Sequence, residues 1–261
     1  MSADWLTRRD KALPPPRVVR DADARPVDAL AGQAPRVIDI SPFALERERI
    51  LPPGATGPHG APYKMLRTQV LLRLDKLKAR SLAVVGTEPG TGKTLTAINL
   101  AIAVCADPDR SALLVDLDLH KPSIHLRLGF EAAAGVDDYL RQERPLSEAL
   151  VSLTGYERLV VLPARERCLD SAELLSGARA QELLREIRQR DSGRILIFDL
   201  PPVLKTDDAL AFSRHIEAAL IVVGEGRTQR RELVRTLELL RDIPVVGTVL
   251  NGTREVVDSY Y

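Results

Sequence analysis

Residues 86–94 read GTEPGTGKT, and the glycines, lysine and threonine at that spacing describe a cradle for a polyphosphate. In the pattern G-x-x-x-x-G-K-[ST], Gly92, Lys93 and Thr94 fill the second half, while Thr87 stands at the first glycine. Gly90 and Gly92 allow the loop Pro89–Leu95 to turn the successive backbone N–H groups of Gly90–Leu95 toward an anion. A helix starting here adds roughly half a positive charge at its N-terminus. Lys93 can then reach the β- and γ-phosphates, and the Thr94 hydroxyl can ligate Mg²⁺. Three carboxylates accompany the loop: Asp116 and Asp118 close SALLVDLD (111–118), and Asp199 closes ILIFD (195–199). A magnesium-bound triphosphate calls for hard oxygen ligands, several of them water. Asp116 and Asp199 suit that coordination, which leaves Asp118 free to handle a proton. Gly90-x-Gly92 also begins a dinucleotide fingerprint with Asp116 as a ribose acid, but Leu95 occupies its third glycine and Lys93-Thr94 opens the helix.

These groups meet only if the chain delivers them to one edge. Strands are expected at 82–85, 111–118, 159–163, 195–199, 219–223 and 245–251. Between them, helical spacing predicts Leu95–Ala106, short helices at 123–128, 135–142 and 147–153, a long segment 171–190 broken at Gly177, and 230–241. Asp207 can cap a further helix through about His215. Before the loop, Leu66, Val70, Leu74 and Leu77 make one apolar stripe on a helix from Tyr63. Near-continuously aliphatic strands alternating with helices predict an α/β fold, a mostly parallel sheet flanked by helices. Ligands of such sheets sit beyond the carboxyl ends of the strands, where the three aspartates and Lys93 fall.

Lys and Arg number 37 against 36 Asp and Glu, so bulk charge gives no case for nucleic acid. Cys105 and Cys168 lack metal spacing and read as buried apolar residues of a reducing compartment. His59, His120, His125 and His215 lack it too, and read as surface or turn residues. No apolar run approaches a membrane span, so a cytoplasmic protein, peripheral to the inner membrane through a partner, is expected. Residues 1–60, rich in Pro and Arg, read as a largely disordered arm; 61–251 as one nucleotide-binding domain; and 252–261 as a flexible tail. Within the arm, Val37, Ile38 and Ile40 can dock as a short extended piece, and 43–49 can form one or two helical turns. Arg227, Arg230 and Arg231 form a basic group near a strand end, suited to a helix start or to a tail phosphate.

PGTGKT (89–94), LLVDLDLHKPS (113–123) and ILIFDLPPVL (195–204), with VGTVLN (246–251) and a terminal DSYY, resemble the motifs of the bacterial tyrosine (BY) kinases. These are autokinases of capsule and exopolysaccharide biosynthesis, with a P-loop NTPase fold of the MinD/ParA-related class; the resemblance is to the separate cytoplasmic type. It implies ATP and Mg²⁺, with Lys93, Asp116, Asp118 and Asp199 catalytic and Thr94, Asp116 and Asp199 at the metal. It further implies Asn251 near the adenine, Tyr260 and Tyr261 as phosphoacceptors, a homo-oligomer, and a membrane-embedded polysaccharide co-polymerase as activator. The sequence departs from the family pattern in three places. His120 stands where arginine usually follows the D-x-D pair, the ring-interface motif E-x-x-R-x-x-R reads Ala61, Lys64 and Arg67, and the tyrosine cluster is reduced to two. Two alternatives stay open on these residues: an ATP-binding regulatory subunit of the same machinery with little transfer, and a ParA/MinD-like ATPase. Those ATPases carry a lysine where Glu88 stands.

Overall fold

The computed structural model describes residues 34–253 other than 56, 58, 191 and 192. Most of the expected arm and the tail with Tyr260 and Tyr261 therefore lie outside the described residues. The strands are β1 (Arg36–Ile38), β2 (Ser81–Gly86), β3 (Ala112–Asp116), β4 (Val151–Leu153), β5 (Leu159–Leu162), β6 (Ile195–Asp199), β7 (Ala219–Gly224) and β8 (Val245–Asn251). They form one sheet in the order β1-β4-β5-β3-β6-β2-β7-β8, parallel except where β4 meets β5.

Every residue of β2, β3, β5 and β6 is buried, as expected for strands covered on both faces. Alternation divides their side chains between two cores. Ala83, Val85, Leu113, Val115, Leu196 and Phe198 face one; Leu82, Val84, Leu114, Ile195 and Ile197 face the other. The first core is closed by α5 (Val136–Leu140), α6 (Leu146–Ala149), α7 (Ser171–Ser176) and α8 (Ala178–Arg190), with Phe198 edge-on to Phe212 at 5.1 Å. The second is closed by α1 (Pro42–Glu48), α2 (Gly60–Leu77), α3 (Lys93–Cys105) and α4 (Ile124–Leu128). α9 (Asp208–Ala211) and α10 (Arg230–Leu239) complete the helices of the described residues.

Several expectations change. Residues 36–51 pack as part of the domain rather than as a disordered arm, with the extended piece expected at Val37 and Ile38 and the helical turns expected at 43–49 both present: β1 pairs with β4, and Leu45, Ile50 and Leu51 are buried. The Asn99 side chain fastens this piece, accepting from the Leu51 N–H (2.9 Å) and donating to the Arg49 carbonyl (3.0 Å). The predicted helix 147–153 ends at Ala149, because Val151 and Leu153 become strand β4, paired on both sides. Asp207 makes no side-chain cap; α9 stops at Ala211 and a 3₁₀ turn follows at Ser213–His215. α2 starts at Gly60 and buries Val70, Leu71 and Leu74, while Leu77 at its end is exposed. His125 is buried on α4, edge-on to Phe130, and not at the surface. Cys105 and Cys168 are buried free thiols, and burial pushes Cys105 up to about 12.

Candidate active site

The loop between β2 and α3 is held from outside by the ends of two neighbouring strands. Asn251, last residue of β8, donates from Nδ2 to the Thr91 carbonyl at 2.8 Å. Arg227, just beyond β7, donates from Nη1 to the Gly90 carbonyl at 3.2 Å. Gly92 adopts φ +92°, and a Cβ there would overlap the Asn251 amide, so any other residue here is strained and must displace Asn251. Thr87, at the first-glycine position, is buried with its hydroxyl 3.4 Å from that of Thr228. Glu88 pairs with Lys205 at 3.2 Å, and Thr91 is buried. Pro89 and Gly90 are exposed, while Leu95 turns its side chain into the core and leaves its backbone near the loop.

The carboxylates arrive from adjacent strands, with Asp116 of β3 in register with Asp199 of β6. Both are completely buried, yet they differ in what they touch. Asp116 Oδ2 accepts from the N–H groups of Ser123 and Ile124 (both 3.0 Å), and Oδ1 accepts from the Asp118 N–H (3.2 Å). It thus caps α4, with one lone pair of Oδ1 left over. Burial, then the Asp199 charge, raises its pKa. Asp199 has no well-formed hydrogen bond to either oxygen. Burial pushes it up to about 7, against the lowering influence of the Thr94 hydroxyl and the Lys93 ammonium. Asp118 is only partly buried and accepts from the Lys121 N–H (3.1 Å); burial raises it while Lys93 lowers it. Lys93 itself is 6% exposed, lowered by burial and raised by Asp199 and Asp118.

The fold thus brings Pro89–Leu95, Lys93, Thr94, Asp116, Asp118, Asp199 and Asn251 to one edge of the sheet, beyond the carboxyl ends of β2, β3, β6 and β8. A buried carboxylate with both oxygens unpaired is costly unless a cation meets it, so Asp199 beside Thr94 and Lys93 fits a magnesium-bound phosphate. Among the described residues no group of three or more His, Cys, Asp or Glu forms a metal cage. Mg²⁺ needs none, since it binds through one or two protein oxygens together with substrate phosphates.

Two residues here carried no sequence signal beyond helix-start composition. Ser171, first in α7, donates to Oδ1 of Asp208, first in α9 (2.7 Å), and both meet His120. Of the expected ring-interface residues, Arg67 donates to the Ala103 carbonyl of its own α3 (3.3 Å), while Ala61 and Lys64 are exposed. Arg230 and Arg231 are exposed at the start of α10, so Arg227 alone of that basic group meets the loop.

No family model matches the chain. Among curated proteins, it is 28% identical to the tyrosine-protein kinase YwqD of Bacillus subtilis (strain 168), over 76% of this chain and 83% of that one. It is 26% identical to the tyrosine-protein kinase etk of Escherichia coli (strain K12), over 76% of this chain and only 27% of that one. The chain thus spans most of the first relative and about a quarter of the second. Among solved structures, the kinase domain of Escherichia coli tyrosine kinase ETK superposes with TM-score 0.69 at 23% identity, over 87% of this chain and 91% of that one. A cobyrinic acid a,c-diamide synthase from Mycobacterium smegmatis with bound ATP analog and magnesium follows at TM-score 0.52 and 22% identity, over 66% of this chain and 74% of that one. These likenesses show an α/β fold shared by kinase domains and other nucleotide-binding enzymes.

Proposed function

The chain belongs to the bacterial tyrosine kinase family, and we propose from this that it is an ATP-dependent protein-tyrosine autokinase regulating polymerisation and export of a capsule or exopolysaccharide. The observation that carries the reading is the unpaired, buried Asp199 carboxylate set beside Thr94 and Lys93 at the end of a phosphate-binding loop. Phosphoryl transfer to a phenol asks for positioning and charge neutralisation more than for covalent chemistry. Lys93 offsets negative charge on the β- and γ-phosphates, and the loop N–H groups of Gly90–Thr94 hold them. Thr94, Asp199 and the remaining lone pair of Asp116 Oδ1 would hold Mg²⁺, which supplies further positive charge across the phosphates when bound. Asp118 hydrogen-bonds the acceptor phenol and draws its proton away late, because a phenol near pKa ~10 acidifies only as the P–O bond forms.

The acceptors in this reading are Tyr260 and Tyr261. Asn251 ends β8 on the nucleotide edge, and nine residues after Gly252 can extend on the order of 30 Å at ~3.3 Å each. That reach covers the site of an adjoining copy in a homo-oligomer. A membrane-embedded polysaccharide co-polymerase is the activator and would hold the protein at the inner membrane. Among the described residues no helix is long and apolar enough to cross a membrane itself.

Intact-mass measurement with and without ATP·Mg²⁺, on wild type, Lys93→Met and a chain ending at Ser259, tests this. Wild type should gain phosphate and both variants should not. Phosphate release with no mass gain would replace the reading with a ParA/MinD-like ATPase, to which the fold likeness extends. ATP binding with neither would replace it with a regulatory subunit.

A further inference from the structure

The turn that follows β7 is built as a brace along one side of the phosphate loop. Its backbone closes on itself and on β8. The Arg227 and Thr228 N–H groups donate to the Gly224 carbonyl (3.1 and 3.0 Å), the Gly224 N–H donates to the Thr228 hydroxyl (3.0 Å), and the Glu225 N–H donates to the Asn251 carbonyl (2.9 Å). Three side chains of this corner then reach the loop. The Thr228 hydroxyl lies 3.4 Å from that of Thr87, Arg227 Nη1 donates to the Gly90 carbonyl at 3.2 Å, and Asn251 Nδ2 donates to the Thr91 carbonyl at 2.8 Å. The guanidinium lies against the backbone itself, since a Cβ built on Gly90 would meet Nη1 at 3.1 Å. Among the described residues the Gly90 carbonyl is the only hydrogen-bond partner of the Arg227 side chain, which is otherwise exposed.

The two carbonyl contacts have a directional consequence. No peptide bond among the described residues is cis, and across a trans peptide the carbonyl and the following N–H point in opposite directions. A Gly90 carbonyl held toward the brace turns the Thr91 N–H away from it, and the Thr91 carbonyl does the same for the Gly92 N–H. Among the described residues neither of these N–H groups has an acceptor, although Thr91 is 1% exposed. Two adjacent free donors between glycines at φ +78° and +92° form a concavity for an anion. We propose that Arg227 is a positioning residue of the nucleotide site: by holding the Gly90 carbonyl it presets the Thr91 N–H for a phosphate oxygen before the ligand arrives. The inference rests on the reading of this loop as a nucleotide site and deepens it. The guanidinium acts through backbone and not on the nucleotide, which gives it a signature of its own. An arginine aimed at the γ-phosphate would favour ATP over ADP, and one stacked on the base would be indifferent to pyrophosphate. An arginine acting through Gly90 affects every ligand whose β-phosphate the loop holds, and by one common factor.

The test is calorimetric titration of the full chain with ADP, a non-hydrolysable ATP analogue and pyrophosphate, each with Mg²⁺, beside hydrogen exchange of residues 87–95 without ligand. Arg227→Met should lose about fivefold in affinity for all three ligands alike, the effect of one exposed hydrogen bond. Its loop amides should exchange faster by a similar factor while the thermal midpoint of the free protein stays at the wild-type value. Arg227→Lys should recover much of the affinity, because an ammonium can donate to the same carbonyl. Arg230→Met removes an exposed arginine that does not meet the loop and should match wild type throughout. Wild-type affinities or wild-type loop exchange in Arg227→Met would overturn the proposal. So would a loss confined to the ATP analogue, a loss that spares pyrophosphate, a lowered midpoint, or an equal loss in Arg230→Met, which would mark bulk charge. A wild type that binds none of the three ligands overturns the nucleotide reading itself, whereas the other outcomes leave that reading standing.

Discussion

Asp199→Asn isolates the energy stored in the site. Burial moves the Asp199 pKa from 3.8 to about 7. An acid whose folded pKa is raised binds more protons folded than unfolded. Its contribution to stability is therefore lost as pH rises through that window and is constant above it. Three pH units at ~1.36 kcal/mol each amount to about 4 kcal/mol of destabilisation at neutral pH, as an upper limit. Asparagine removes the charge, relieves Asp116 of its neighbour, and gives back about 1–3 kcal/mol for an amide that also lacks partners. A net gain of about 1–3 kcal/mol remains, or roughly 2–10 °C for a domain of this size. Thermal unfolding in EDTA without nucleotide should show Asp199→Asn above wild type at about pH 8, with the gap closing between about pH 6 and about pH 4.5 and wild type the more stable below that. ATP·Mg²⁺ should raise the wild-type midpoint and leave the variant unmoved. A variant no more stable than wild type at the higher pH would refute the picture of an uncompensated buried charge.

Three other outcomes follow from the geometry. Asp116→Ala removes the acceptor of two backbone N–H groups at the start of α4 and of the Asp118 N–H, and should cost about 2 kcal/mol or more, read as a lower urea midpoint. Gly92→Ala forces an L-residue to φ +92° and drives its methyl into the Asn251 amide, so calorimetric ATP affinity should fall about tenfold or more while the fold survives. A chain starting at residue 52 exposes the surfaces that covered Leu45, Ile50 and Leu51, each worth about 1.5–3 kcal/mol, and should lose its cooperative transition; one starting at residue 34 should keep it.

β3 and β6 were legible because each is an aliphatic run ending in a carboxylate, as a fully buried parallel strand at a site edge would be. Gly177 announced the break between α7 and α8 for a similarly local reason. β1 and α1 were legible as a short extended piece and a helical turn, but what they dock on was not, since their partners are remote: Val37 is exposed, the pairing is with Val151–Leu153, and the anchor is Asn99. Composition around residue 40 carries none of that. Asp116 read as a metal ligand by type and spacing, but its part as the cap of α4 depends on how the chain turns back at Ser123. Ser171 and Asp208 each resembled an ordinary helix start; only the packing of α7 against α9 shows them to be buried, bonded to each other and in contact with His120. In sequence Arg227 is one of three arginines in a charged group, and only the turn after β7 sets it apart by bringing it to the Gly90 carbonyl.

The grip of Asn251 on Thr91 has a practical side. The strand that steadies the nucleotide loop is also the last strand among the described residues, so any load hung beyond it pulls on the loop through a single amide. An affinity handle fused after Tyr261 would tug on that amide, and recombinant protein is better tagged at its beginning, where the first described strand enters at the opposite margin of the sheet.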